Sequence, residues 1–302
     1  MANEIKFLGY KMLSNAPGRV IYECPPEGLF RSNLCLRTAD RVYIQVSSFF
    51  AENFDELFDG VYAIDWHNYF KKDVRLHIDK VRTFRSKLSS EHSVQKLTHK
   101  AICKKLGEIW HMNTLPESGN EADIRIYIDQ NTVLVLLDIS GAPLNRRGYR
   151  KDGGTAPIRE TLAAILLHMM CWRRKTPLHD PFCGSGTLLT EAMLYAHNVA
   201  PGFGRRFALE NLIIFDSAQA DEIRKQEAAK IRTDVMTRIT GTDIDPDAVE
   251  RSRANAERAC VTAGRALQLI GSDMKIMRPQ FDVSDFKDLA APYPCEDGIL
   301  LR

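Results

Sequence analysis

The chain has no Cys-x-x-Cys pair. Its seven cysteines, at 24, 35, 103, 171, 183, 260 and 295, are widely spaced and odd in number. That argues against a zinc ribbon or a disulfide framework and fits a reducing compartment. No His-Glu-x-x-His or His-x-x-His pair occurs among the eight histidines, so no metal site is expected. No apolar run approaches the length of ~20 residues that spans a bilayer, and Met1 is not followed by a basic-then-apolar leader. A cytoplasmic location follows as an expectation, with no membrane and no obligate protein partner. Charge of one sign is also missing: 41 Lys and Arg meet 39 Asp and Glu, a net charge of +2. Any surface for a polyanion must therefore be local. Internal repeats and low-complexity tracts are absent.

What is present divides by pattern. The 302 residues are enough for more than one domain. Residues 1–65 hold short alternating segments such as RVYIQV (41–46) and a Cys24-Pro25-Pro26-Glu27-Gly28 turn, which predicts a small α+β unit. In residues 66–150, VRLHIDKVRTF (74–84) reads as a strand and SVQKLTHKAICKKLGEIW (93–110) as a helix. ADIRIYID (122–129) and TVLVLLDIS (132–140) read as a hairpin around Gln130-Asn131. A glycine-containing basic stretch, GAPLNRRGYRKDGGTAP (141–157), then leads to a helix at 158–172. From 158 to 302, strands alternate with helices: PLHDPF, SGTLLTEAMLYAHN, an insert at 200–236, RITGTDID (238–245), PDAVERSRANAERA and a strand near 281–286. That alternation predicts a parallel, doubly wound α/β sheet.

The sharpest local feature is HDPFCGSGTL (179–188). It lacks the lysine of a phosphate-binding P-loop. It lacks the first glycine of a Gly-x-Ser-x-Gly elbow, because Cys183 stands there. It lacks the third glycine of a dinucleotide fingerprint, because Leu189 stands there. What remains is a turn whose acid, Asp180, ends a strand. Gly184 and Gly186 let backbone approach a ligand, and the next helix start offers amides to a carboxylate. S-adenosylmethionine has the matching carboxylate, ammonium, ribose and adenine. Asp180 would take the ammonium or orient the loop. The competing reading is a plain strand–turn–helix junction with Ser185 or Thr187 as helix cap.

A second acidic turn tips that balance. In GTDIDPDAVERSRANAERA, Asp243 ends a strand and is placed to accept the ribose hydroxyls, while Asp245-Pro246 reads as a helix start. The acid falls 63 residues after Asp180 rather than the usual ~20, a gap filled by the 200–236 insert. Asp285, with Phe286 beside it, or alternatively Asp273, would take the adenine amino group.

Together DPFCGSGTLLTEA, GTDIDPDAVERSRANAERA, LNRRGYR with APIRETLAA, and NLCLRTADRVYI resemble one family over nearly the whole chain. It is the bacterial THUMP-domain methyltransferase family acting on guanine N2 of large-subunit ribosomal RNA. The resemblance implies a ferredoxin-like unit (1–65), a THUMP RNA-binding domain (66–150), a linker (151–157) and a Rossmann-like methyltransferase domain (158–302). It implies S-adenosylmethionine as cofactor and ribosomal RNA as partner. By position, Asp180, Gly184, Ser185 and Gly186 line the methionine end, Asp243 the ribose and Asp285 the adenine. Thr155 and Ala156 would approach from the other side.

For RNA the candidates are Arg146, Arg147, Tyr149, Arg150 and Lys151, a basic cluster with one stacking ring. Arg173, Arg174 and Lys175 read instead as charge at a helix C-terminus. The family's Asn-Pro-Pro-Tyr active-site tetrapeptide is expected just after EDGILLR, so no catalytic residue is assigned within 1–302. The start resembles the tail of the family's first helix, and the sequence reads as a fragment, expected to be inactive alone. Alternative readings are a non-catalytic RNA- and cofactor-binding piece, or an amino-methyltransferase acting on tRNA or DNA.

Overall fold

The computed structural model describes residues 1–151, 154, 157–288 and 299–300. Its contacts divide the chain into two compact units. One holds Met1–Asp40, Pro143–Arg206 and Ala218–Arg302; the other holds Arg41–Ala142 and Phe207–Ser217.

The chain begins with helix α1 (Ala2–Phe7), hairpin strands β1 (Lys11–Ala16) and β2 (Arg19–Glu23), and helix α2 (Pro26–Cys35). Pro26 sits at the first turn of α2, where its missing N–H costs nothing. The Glu4 carboxylate of α1 accepts backbone hydrogen bonds from Arg37 (2.9 Å) and Thr38 (3.2 Å), which ties α1 to the end of α2.

The second unit is built on one four-stranded sheet. Its elements are β3 (Tyr43–Phe50), α3 (Phe54–Tyr62), β4 (Arg75–Phe84), α4 (Glu91–Trp110), β5 (Glu121–Asp129) and β6 (Thr132–Asp138). Strand order is β3-β6-β5-β4, with β4 and β5 parallel and the other pairs antiparallel. Strict alternation buries Ala122, Ile124, Ile126 and Ile128 on β5, and Val133, Val135 and Leu137 on β6. Val94, Ala101, Ile102 and Leu106 form the buried stripe of α4. Gln130 (φ +50°) and Asn131 (φ +61°) give the β5–β6 turn the left-handed pair a two-residue hairpin requires. Sequence pattern placed residues 43–50 in the first 65-residue unit. The strand formed there, β3, pairs instead with β6.

The remaining chain forms an α/β layer of α5 (Glu160–Met169), β7 (Leu178–Asp180), α6 (Thr187–Ala196), α7 (Ser217–Ala228), β8 (Ile239–Asp243), α8 (Pro246–Gln268), β9 (Gln280–Val283) and β10 (Ile299–Leu300). The sheet is parallel throughout, in the order β10-β7-β8-β9. Its core joins Leu189, Met193 and Leu194 of α6 to Val249, Ala256, Ala259 and Ala263 of α8, with Leu178, Ile239 and Phe281 from the strands. Gly241 makes this close approach possible. A Cβ there would stand 2.5 Å from Leu189 and 2.9 Å from Cys183.

Candidate functional site

In a parallel sheet the ligand crevice lies outside the carboxyl ends of the strands. Three acids collect at that edge. Asp180 ends β7, Asp243 ends β8, and Asp285 follows β9. Asp273 precedes β9 and so lies toward its other end.

The two strand-ending acids shape the turn between them. Asp243 Oδ2 accepts from the Gly184 amide at 2.9 Å, and its Oδ1 accepts from the Asp245 amide at 3.0 Å. Asp180 Oδ1 accepts from the Phe182 amide at 3.0 Å. Burial pushes the Asp180 carboxyl above the usual carboxylate range, and the neighbouring Asp243 carboxylate adds to the effect. A half-buried carboxylate beside a second one invites a cationic partner.

Gly184 and Gly186 both take left-handed backbone, at φ +55° and +72°. Around Gly184 a Cβ would meet nothing within 4 Å, so the turn opens onto free space. At Gly186 a Cβ would come within 2.9 Å of Ser252 and 3.1 Å of Phe281, so there the turn is pressed against its support. That support comes from α8: Ser252 Oγ donates to Gly184 O (2.7 Å) and Asn255 Nδ2 to Ser185 O (3.0 Å). Gly186 is the N-cap of α6 and makes no side-chain cap bond. Ser185 Oγ lies 3.2 Å from Thr187 Oγ1. The first amides of α6 therefore have no side-chain acceptor at the cap position and face outward as anion donors.

An apolar rim completes the crevice. Phe182, Ile244, Val283 and Phe286 are 61, 67, 52 and 39% exposed, unusual for such residues. The Phe182 and Phe286 rings stand 5.1 Å apart, tilted by 35°. Asp285 beside them accepts from the Lys287 amide at 2.9 Å, and Ser284 N donates to Asp243 O at 3.0 Å. Carboxylates, helix-start amides and an exposed apolar slot in one crevice fit S-adenosylmethionine end to end.

Ser252, Asn255, Phe182 and Ile244 were absent from the sequence-level site. The signal for the last two is position. Each directly follows the closing turn of a strand, where solvent-facing residues are normally polar. Thr155 and Ala156 lie outside the described residues. Gly154, next to them, sits where a Cβ would be 3.5 Å from Arg251 Nε on α8.

The basic cluster at 146–151 splits in two. Arg146 and Lys151 are exposed. Arg147 and Tyr149 are 4 and 3% exposed, which corrects the expectation that both meet RNA. Arg147 Nη1 donates to Leu144 O (2.7 Å) and its Nη2 to Arg37 O, with Nε 3.6 Å from Glu191. Tyr149 Oη donates to Glu191 Oε1 at 3.0 Å. The reason is Glu191 itself: a carboxylate buried in α6 must be paired, and these two side chains pair it. Arg150 is half-buried, bonded to Ile158 O (2.7 Å) and Glu160 (2.9 Å).

Away from this crevice, His77, Glu121 and Asp123 bring their ligand atoms within 4.8 Å of one another. His77 Nδ1 is 2.7 Å from Asp123, and Arg75 pairs with Glu121 at 3.1 Å, so existing ion pairs account for the cluster. No helix among the described residues is long and apolar enough to cross a membrane.

The sheet order and the acids at its strand ends define a Rossmann-like domain of the methyltransferase type. Comparison with known proteins gives the family. An RlmL ferredoxin-like domain matches residues 1–43, a THUMP domain residues 51–138, and an RMKL-like methyltransferase domain residues 147–279. The Bacillus subtilis (strain 168) protein named "Putative RNA methyltransferase YpsC" is 37% identical over 265 residues, 86% of this chain and 67% of that one. A ribosomal RNA large subunit methyltransferase K/L of Aliivibrio fischeri (strain MJ11) is 34% identical over all of this chain, which spans 41% of its length. The crystal structure of SMU.472 complexed with SAH superposes with a TM-score of 0.84 at 34% identity, covering 99% of this chain and 75% of that one. The chain belongs to this family of THUMP-domain methyltransferases.

Proposed function

We propose that the chain carries the cofactor-binding and RNA-gripping parts of an enzyme that methylates the exocyclic N2 amine of a guanosine in large-subunit ribosomal RNA. The single observation that carries this reading is the crevice, with Asp180, the 184–187 turn and Asp243 at one parallel-sheet edge, in a chain that also holds a THUMP domain. A cytoplasmic location goes with it.

Each residue has a task in the reaction. The α6 amides would hold the methionine carboxylate, Asp180 the ammonium, Asp243 the ribose hydroxyls, and Asp285 with the Phe182–Phe286 slot the adenine. An exocyclic guanine amine is a weak nucleophile because its lone pair is delocalised into the ring. Rate therefore depends on in-line positioning and on acceptors for the amine hydrogens. When bound, S-adenosylmethionine would supply an electrophilic methyl group to N2, with S-adenosylhomocysteine as leaving group and the amine proton passing to water. Strand β10 runs parallel to β7, Ile299 opposite Leu178 and Leu300 opposite His179.

The test is transfer of tritiated methyl from labelled S-adenosylmethionine to undermethylated ribosomal RNA, followed by digestion to nucleosides. The expected label is N2-methylguanosine. Label in N6-methyladenosine, or transfer to tRNA or DNA in preference to ribosomal RNA, overturns the assignment.

A further inference from the structure

On the methyltransferase unit, a groove of about 1150 Å³ opens among α1, the end of α2, and the segment joining α5 to β7. That segment precedes β7, so the groove lies toward the amino ends of the strands, the opposite edge from the cofactor crevice. Six cationic side chains line it: Arg37, Arg173, Arg174, Lys175, Lys230 and Arg232. Two carboxylates face them, and both are engaged. Glu4 is bonded to Arg37 N and Thr38 N, and Glu227 to Arg31 (3.2 Å) and Lys230 (2.7 Å). A smaller hollow of about 270 Å³ shares Arg174, Lys175 and Arg232 with the groove and adds Asp234, 3.8 Å from Arg232.

The cations are built in at different depths. Arg37 is 8% exposed; its Nη2 donates to Leu194 O (3.2 Å) and Val199 O, while Nη1 has no hydrogen-bond partner. Arg174 lies over the Tyr195 ring at 4.8 Å and donates to Asn198 Oδ1 at 3.1 Å, which holds its guanidinium at the wall. Among the described residues, Arg173 and Lys175 make no ion pair or side-chain hydrogen bond. Neither donates to a last carbonyl of α5; the Leu167 and His168 carbonyls are taken by the amides of Trp172 and Cys171. Helix-end charge can thus act on these residues through the dipole alone, without a hydrogen bond. In a chain of net charge +2, so local an excess of cations needs an anionic occupant.

We propose that this groove binds the phosphodiester backbone of a single-stranded segment of the RNA substrate, away from the base being methylated. The inference rests on the RNA-methylation reading. Its volume and continuation exceed what one phosphate fills, and a string of cations along a groove fits a charge repeated along a strand. The Tyr195 ring is covered by Arg174 and by His168 against its edge at 5.4 Å, whereas Phe7, 90% exposed, is a lining ring left open. The groove therefore grips phosphate, and any stacking on Phe7 is sequence-tolerant, so it carries no sequence preference.

The experiment is polyuridylate binding to the protein, followed by fluorescence anisotropy over a salt series. In Arg173→Ala/Lys175→Ala, the slope of log affinity against log salt should fall by about 1.4, two contacts at roughly 0.7 each for a single strand. Arg173→Lys should keep the native slope, and S-adenosylhomocysteine affinity should be unchanged in both, showing an intact fold. An unchanged slope in the double variant overturns the proposal. So does an equal fall in Lys11→Ala/Lys275→Ala, which would reduce the effect to net charge. Full displacement of polyuridylate only at this groove by tripolyphosphate, with no slope change in the variant, assigns it to a small anion and also overturns it. If the slope falls while methyl label appears in a nucleoside other than N2-methylguanosine, the groove stands and the reaction assignment fails.

Discussion

The Asp243 carboxylate that closes β8 accepts the Gly184 amide at 2.9 Å, so one acid both fixes the glycine turn and remains at the edge of the crevice. Asp243→Ala removes both contributions. Hydrogen bonds to a charged group are worth about 1.5–3 kcal/mol, so S-adenosylhomocysteine should bind roughly 10- to 150-fold more weakly by calorimetry. Asp243→Asn keeps an acceptor for the turn and should lose less. Equal affinity for native and Asp243→Ala proteins would remove Asp243 from the site.

The two turn glycines should respond differently to alanine. Gly184→Ala meets no atom within 4 Å and carries only the left-handed penalty, about 1–2 kcal/mol. Gly186→Ala carries the same penalty and also drives a methyl to 2.9 Å from Ser252, in a packed core. Urea denaturation should show the second variant unfolding at clearly lower denaturant. The opposite order would mean the turn is supported elsewhere.

Asp180 sets a pH dependence with opposite signs for stability and for binding. Its folded pKa is raised, chiefly by burial. The stability it contributes is fully present below the unfolded value of ~3.9 and is lost as pH rises through the folded value. At neutral pH, Asp180→Asn should therefore raise the melting temperature of the ligand-free protein. Cofactor binding runs the other way, because the ammonium needs the ionised acid. Affinity for S-adenosylhomocysteine should begin to fall on acidification above the ordinary carboxylate range, and Asp180→Asn should flatten that fall. A mutant that still shows the native pH profile would place the titrating group elsewhere.

The 146–151 segment should separate stability from RNA binding. Arg147→Ala strips a partner from buried Glu191 and should destabilise the protein by about 3–5 kcal/mol. Tyr149→Phe, which loses one bond to Glu191, should cost about 1.5–3 kcal/mol and leave the salt dependence of RNA binding unchanged. Arg146→Ala/Lys151→Ala, on exposed positions, should do the reverse. If Tyr149→Phe flattens the salt slope, the buried network is coupled to RNA after all.

Much of this was legible in the sequence because period and turn chemistry agree. The β5–β6 hairpin, α4, and the alternating run from β7 to α8 follow from spacing alone, and so do the acids at the ends of β7 and β8. Burial of individual cations was not legible. Arg147 and Arg146 are neighbours in a basic run, and only the position of Glu191 on α6, more than forty residues away, decides which one turns inward. Nor does local pattern choose a strand's partner. RVYIQV reads as a strand in either unit, and its pairing with β6 is a long-range outcome. The exposed ring of Phe182 was hidden for a related reason: PLHDPF reads as one strand, whereas β7 stops at Asp180.

The two compact units are interleaved along the chain: Met1–Asp40 belongs with residues that come after Pro143. During synthesis, the first forty residues emerge long before their packing partners. Arg37, whose buried guanidinium donates to the Leu194 carbonyl, must wait for α6 to be made. Joining those ends closes a loop of roughly 100 residues, an entropic cost of about 4 kcal/mol for a flexible chain. If residues 41–142 fold first, that loop becomes a rigid spacer and most of the cost has already been met. The order in which the ribosome delivers the chain thus favours the inserted unit as the earlier folder, with the methyltransferase unit completed later.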